Sequence, residues 1–364
     1  MKFKSLFIAS GAAVALMGAP ASAQQVWTMT TTWPSSLALI DMDRKFVEYA
    51  NLLVGDELRI EFHDGGTLVP GFEVFDAVNS GTIEASGDWP GYWAGRDAAF
   101  NPLATHVSLF NAVDYVNWIQ QWGGFEHYQE VYGRFGMVYL PYGVTNNESG
   151  FRTNTPIRTV EDLQGMRLRL SGLEQGRLLE RLGGNQVSMA GGELYQAAER
   201  GVIDGFEFST PDVDWGAGFH EVTSYWATPG WHQSASLFGV MINQNAWDAL
   251  SEDAQNRLRI AADAAMLWSL ANTERAANEG YNNFQEAGVE ITRMDDETLA
   301  MIQEMANEVI VEVACEYPTS ARVYVSQLEY LQEYSSWRDA SAPFNLGRTP
   351  GPMPDLDRIR ECAG

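Results

Sequence analysis

GFEVFDAVNSGTIEA, residues 71–85, is written again 120 positions later as GGELYQAAERGVIDG, residues 191–205. Five of the fifteen positions are identical: Gly71 with Gly191, Glu73 with Glu193, Ala77 with Ala197, Gly81 with Gly201, and Ile83 with Ile203. In the first copy Val74, Phe75 and Val78 fall on one helical face, Gly81 supplies a helix stop, and residues 82–85 open a strand. Ahead of it, residues 25–30 and 58–62 alternate as strands and residues 37–53 carry helical spacing. The second copy has the same setting, with a strand over 167–170, a helix over 174–182 and a short strand over 186–188. The repeat therefore predicts two α/β lobes of similar βαβ construction, each with the same helix–glycine–strand corner. Ligands of open α/β sheets bind beyond the carboxyl ends of strands, so residues 86–93 and 207–215 are expected to line a cleft between the lobes.

Further along, residues 237–242 read as a buried strand crossing between lobes, and a long helix is expected from 245 to about 286. A short strand over 289–291 and helices over 295–313 and 320–337 follow, then a Pro- and Gly-rich tail. At the other end, Lys2 and Lys4 precede the apolar run LFIASGAAVALMG and the small-x-small site Ala21-Ser22-Ala23, the pattern of a cleaved signal segment over 1–23. No lipobox cysteine stands near Ala23, which makes a free periplasmic protein the expectation. The ~340 residues that follow exceed one ordinary core. The expected division is 24–148 with about 236–276 as one lobe, 149–235 with about 277–317 as the other, and 318–364 as a C-terminal helix and extended tail.

Without Lys2 and Lys4, 21 basic residues face 48 acidic ones, a formal charge of −27. So acidic a chain repels phosphate backbones and anionic lipid, which argues against nucleic-acid and membrane-surface roles. Cys315 and Cys362 are the two cysteines. They form no C-x-x-C pair for zinc, and spacing alone leaves both a bridge and two free thiols open. The sequence holds no G-x-S-x-G, Walker or G-x-G-x-x-G motif, and its five histidines, at 63, 106, 127, 220 and 232, show no H-E-x-x-H or facial-triad spacing. Binding is thus favoured over turnover, with a periplasmic enzyme and a sensory receptor as the rivals.

Arg169, in RLRLSG, is the cation singled out. At a strand end facing a cleft it needs an anion, and its guanidinium matches a carboxylate in bidentate geometry. The anion is either a ligand or one of the many structural acids. Arg167 alternates to the solvent face, and Arg152 is a second candidate. Aromatic residues crowd both corners: Trp89, Tyr92 and Trp93 after the first, Phe206, Phe208 and Trp215 after the second, with Trp226 and Trp231 beyond. Many of the twelve tryptophans must fill core. A cluster such as Trp89-Pro90-Gly91-Tyr92-Trp93 nevertheless makes a water-excluding wall, which strengthens a charge pair inside.

EDLQGMRLRLSG, RLGGNQVSMAGGELYQAAERGVIDGFE and PGWH, between Glu161 and His232, together with GTLVPGFEVFDAVNSGTIEAS upstream, resemble the solute-binding proteins of tripartite ATP-independent periplasmic (TRAP) transporters. Within them the chain is similar to the branch that binds 2-oxo acids and related small carboxylates. The resemblance implies a two-lobed periplasmic binding protein fold. Each lobe is then a mixed sheet flanked by helices, joined by a long inter-lobe helix. It also implies capture of a small organic acid, such as a 2-oxo or hydroxy carboxylate, and delivery to TRAP membrane permease subunits. By the same likeness Arg169 clamps the carboxylate. That branch co-binds a sodium or calcium ion through a glutamine, a glutamate and the carbonyl of the adjoining tryptophan. Glu207 matches the glutamate, Phe208 stands in place of the tryptophan, and Asn146 or Asn147 stands near the glutamine. Gln233 replaces a glutamate common in the branch. The expected ligand set is therefore Arg169, Trp89, Tyr92, Asn146, Asn147, Glu207, Phe208, Trp231 and Gln233, with Glu207, Phe208 and Asn146 toward the ion. These departures leave a sulfonate or other small anion open. The resemblance also implies homodimers through the C-terminal helix.

Overall fold

The structure, a computed structural model, describes residues 24–107 and 109–341; the expected signal segment, the tail and Cys362 lie outside the described residues. In chain order the chain forms β1 (Gln25–Thr31), α1 (Ile40–Val54), β2 (Leu58–Phe62), α2 (Val74–Asn79), β3 (Ala85–Asp88) and α3 (Phe100–Ala104). Next come α4 (Ala112–Gln121), α5 (Gly124–Gly133), β4 (Met137–Thr145), β5 (Phe151–Thr153), β6 (Arg167–Arg169), α6 (Leu173–Arg181), β7 (Asn185–Val187) and α7 (Leu194–Glu199). Then follow β8 (Gly205–Phe206), α8 (Pro211–Gly216), α9 (Phe219–Val222), β9 (Tyr225–Thr228), β10 (Ser236–Asn243) and α10 (Gln244–Asp248). The described chain closes with α11 (Glu252–Glu286), β11 (Glu290–Arg293), α12 (Asp296–Glu316) and α13 (Pro318–Ser341).

Two sheets result, in the orders β2-β1-β3-β10-β4 and β11-β9-β5-β8-β6-β7. In the first, β1 runs parallel to β2 and β3, and β10 runs antiparallel between β3 and β4. In the second, β6 runs parallel to β7 and β8, and antiparallel β5 closes the trio. The parallel trio with an antiparallel fourth strand thus occurs twice, once per lobe, as the repeated phrase predicts.

The corner itself is copied closely. Gly71–Glu73 and Gly191–Glu193 each form one 3-10 turn, and α2 and α7 have six residues each. Gly81 and Gly201 end them at φ 74° and 66°, a left-handed conformation that costs a residue with a Cβ. One detail departs from expectation: the strands begin at residues 85 and 205, three later than the pattern at 82 suggests. The reason is the helix stop. Thr82 and Ile83 both donate their N–H groups to Ala77 O, and Val202 donates to Ala197 O, so these donors cap a helix instead of joining a ladder.

The long helix expected from 245 is two helices. Ser251 Oγ accepts from Ala254 N and starts α11 afresh, with Glu252 and Asp253 in its first turn against the positive end of the helix dipole. α11 runs for 35 residues, about 52 Å at 1.5 Å per residue. It packs on α1 and β4 in the first lobe and on α8 in the second. Close approach to α8 requires Gly280, where a Cβ would stand 2.3 Å from Asp212 N.

β4 escaped the sequence reading. All nine of its residues are buried, because α5 and α11 cover both faces and erase the alternation. Pro141 survives mid-strand because the ladder to β10 shifts register there, between Phe238 and Gly239. Deep in this lobe Asp43 accepts hydrogen bonds from Thr31 (3.0 Å) and Tyr142. Burial pushes its carboxyl up to about 8. Cys315 is exposed and has no disulfide partner among the described residues.

Candidate functional site

β6 and β8 lie side by side and parallel, and both end at the cleft: β6 on Arg169, β8 on Phe206 with Glu207 and Phe208 next. From the first lobe the segment after β3 brings Trp89 and Tyr92, and Leu39 and Phe238 complete that wall. Ser171 follows Arg169 on the second-lobe side, while Glu148 and Gln233 arrive from segments connecting the two sheets. These residues surround a small cavity, part of it open to solvent. The corner that the sequence repeats thus delivers side chains to one cavity from both lobes.

Arg169 is 1 % exposed. Its Nη1 donates to Glu207 Oε1 (2.8 Å) and to Glu207 main-chain O (2.9 Å), and its Nε donates to Met189 O (3.2 Å). No described residue accepts from Nη2, which leaves that nitrogen for an anion in the cavity. The guanidinium carbon also lies 5.5 Å from the Phe208 ring. Across the cavity the Trp89 indole N–H is buried and has no partner among the described residues. Tyr92 Oη accepts from Trp33 Nε1 (3.3 Å), so its own proton remains available to an acceptor.

Acidic groups crowd the opposite side. Glu207 Oε1 also accepts from Ser171 N (2.7 Å), and its Oε2 lies 3.8 Å from His232 Nε2. Glu148 Oε2 lies 3.3 Å from the same nitrogen, and Ser236 Oγ donates to Glu148 Oε1 (3.1 Å). Its surroundings orient the Gln233 amide with nitrogen toward Glu148, where it donates at 2.6 and 3.0 Å to the two oxygens. Burial pushes Glu148 up to about 8 and Glu207 up to about 7, the latter opposed by Arg169. Burial likewise holds His232 down to about 4, so the imidazole is neutral and can serve as a ligand.

Among the described residues Glu148, Glu207 and His232 each offer an atom within 4.8 Å of the others. Two buried carboxyl groups fit a cation of the sodium or calcium class, which takes hard oxygen donors, and the neutral imidazole lies in the same cluster. Burial favours the protonated form of both acids, so a bound cation would take the place of the protons they release.

Of the residues chosen from sequence, the structure gathers Arg169, Trp89, Tyr92, Glu207, Phe208 and Gln233 around the cavity. It does not bring Asn146, Asn147 or Trp231 there. Asn146 donates to the Glu274 side chain on α11, and Asn147 is exposed. Trp231 packs in the second lobe, its ring 6.0 Å from Phe151. Arg152, the second candidate cation, is fully buried elsewhere: it pairs with Asp214 (3.0 Å) between the rings of Trp226 and Phe284, 3.8 and 3.9 Å away. Arg167 lies on the solvent face, paired with Asp204 (2.7 Å). Glu148 and His232 were missed. Glu148 is one acid among 48, and its signal was its place between the asparagine pair and the start of β5. His232 stood next to a residue already chosen, but no histidine spacing pointed to it.

The DctP family model, described as bacterial extracellular solute-binding protein, family 7, matches residues 29–316. A monocarboxylate 2-oxoacid-binding periplasmic protein of Nostoc is 28% identical over 312 residues, 85% of this chain and 85% of that one. A TRAP periplasmic solute-binding protein of Colwellia psychrerythraea, solved with calcium and pyruvate, superposes with TM-score 0.83 at 26% identity, covering 90% of this chain and 100% of that one. Its counterpart from Pseudoalteromonas atlantica, solved with sodium and pyruvate, gives TM-score 0.83 at 25% identity and the same coverage. The match spans most of the chain, and the paired lobes, the long helix and the cleft between parallel strand ends agree with it: the chain belongs to bacterial extracellular solute-binding protein family 7, the solute-binding proteins of TRAP transporters.

Proposed function

We propose that this periplasmic solute-binding protein captures a small 2-oxo or hydroxy carboxylate together with a cation and hands it to TRAP-type membrane permease subunits. The observation that carries the reading is Arg169: a buried guanidinium at a strand end, with one terminal nitrogen left for a ligand. The N–H groups of that nitrogen suit a carboxylate oxygen, and the Trp89 N–H and Tyr92 hydroxyl supply further donors for the same small molecule. A monocarboxylate is matched by Arg169, and a cation at the Glu148, Glu207 and His232 cluster would balance the two acids once they ionise. The relatives solved with pyruvate and sodium or calcium support this pairing.

Both lobes contribute walls, so the ligand gains its full contacts only when they close, and binding shifts the population toward the closed state. Homodimers through α13 belong to the same proposal; Val325, Leu328 and Trp337 on that helix are exposed, apolar and suited to a second copy. Titration calorimetry with pyruvate and with lactate, each in calcium, in sodium and after chelation, tests the reading. It predicts saturable binding that strengthens with one of the cations. No binding of either acid under any of these conditions contradicts it.

A further inference from the structure

The cavity wall at Ser171 leads directly into α6, and the way that helix begins is unusual. Its N-cap is Gly172, at φ 102°, which has no side chain to accept from the orphan N–H groups of the first turn. The acceptor comes from the opposite lobe. Asn101 Oδ1, on α3, takes the Leu173 N–H at 2.6 Å. α3 packs against β10 and the segment 90–93 of the first lobe, whereas α6 packs against β7 and α12 of the second. The approach is close: a Cβ on residue 172 would stand 3.0 Å from Asn101 Oδ1 and 2.0 Å from Gln175 Oε1.

Two further observations mark the contact as more than filling. Asn101 is completely buried, and its Nδ2 has no partner among the described residues. Both carboxyl oxygens of Glu174, in the same first turn of α6, are also buried without one. Burial pushes that carboxyl up to about 8, with Asn101 beside it opposing the shift. A neutral acid and a primary amide, both enclosed, set complementary donors and acceptors beside one another at this contact. The other end of the turn is tied to the ligand site itself, because Ser171 N donates to Glu207 Oε1 at 2.7 Å.

We propose that Asn101 is a positioning residue for ligand capture: it caps α6 across the cleft, so that lobe closure and ordering of the 171–173 turn become one event. The inference rests on the reading of the cleft as the ligand site. An interaction made in the closed state and broken in the open one slows opening, and its removal accelerates ligand release without altering encounter.

The test is stopped-flow tryptophan fluorescence with pyruvate and calcium on the full chain, comparing wild type with Asn101→Ala, Asn101→Ser and Asn101→Asp. Ala removes the acceptor and Ser holds its Oγ one bond short of the Asn101 Oδ1 position, and both are expected to raise the dissociation rate about tenfold while the association rate stays within about twofold. Asp keeps an acceptor at the same reach and is expected to restore slow release. A residue that merely supports the fold would lower the melting temperature and leave the release rate of the folded protein alone, so that outcome in either Ala or Ser overturns the proposal. Wild-type protein that binds no pyruvate overturns the site reading and this inference with it. Wild-type binding with unchanged release in the variants overturns this inference alone.

Discussion

Arg169 Nη1 lies 2.8 Å from Glu207 Oε1, inside a cavity wall where both side chains are almost fully buried. The cation assigned to the ligand thus already has an acid at its side, and Ser171 N holds that acid from another direction. The arrangement fixes the guanidinium plane before a ligand arrives, while Nη2 stays available. It also makes Glu207 the common member of two sets, the arginine pair and the cation group with Glu148 and His232.

Glu207→Gln keeps the shape and removes one negative charge from the cation group. The account predicts that calcium-dependent strengthening of pyruvate binding falls by at least about tenfold, since charge count sets the affinity of oxygen sites for calcium. Calorimetry at several calcium concentrations checks it. Full retention of the calcium effect would remove Glu207 from the cation set.

Trp89 carries a buried indole N–H with no partner among the described residues. Trp89→Phe leaves an aromatic wall and deletes the donor. Affinity for a small carboxylate is expected to fall by about 0.5–1.5 kcal/mol, the usual worth of one hydrogen bond. Equal affinity in the variant would make the ring a wall and nothing more.

Arg152 and Asp214 form a fully buried pair clamped between Trp226 and Phe284. Arg152→Ala abandons an acid in the interior and is expected to cost about 3–5 kcal/mol of stability. Chemical denaturation measures this. Pyruvate binding by the folded fraction is expected to persist, because the pair does not line the cavity.

Asp43 gives a pH signature. Its folded pKa, pushed up to about 8 by burial, stands above its value of 3.8 in an exposed chain. Between those limits the native state holds a proton that the unfolded state releases, so this group's contribution to stability falls as pH rises from about 4 to 8. Asp43→Asn cannot titrate. The difference in unfolding free energy between wild type and variant is therefore expected to shift against the wild type across that window, by about 1.4 kcal/mol per pH unit. A constant difference from pH 5 to 8 would show that Asp43 ionises normally.

The repeated phrase made the fold legible because a helix, a left-handed glycine and a strand leave a local trace in residue types, and two copies 120 residues apart announce two lobes. β4 left no such trace: a strand covered on both faces has no alternation to read. The break before α11 was visible only as Ser251, an N-cap inside an otherwise continuous helical pattern. At the cavity, Arg169 and the corner aromatics could be found because each sits directly after a strand. Glu148 could not. Its importance comes from the folding-together of Gln233, Ser236 and His232, residues about 85 positions away that no local pattern connects to it.

The most direct test removes the guanidinium. Arg169→Ala, titrated with pyruvate in the presence of calcium, is predicted to lose about 3–5 kcal/mol of binding free energy while its far-ultraviolet circular dichroism stays that of the wild type. Wild-type affinity in a folded Arg169→Ala protein would contradict the account.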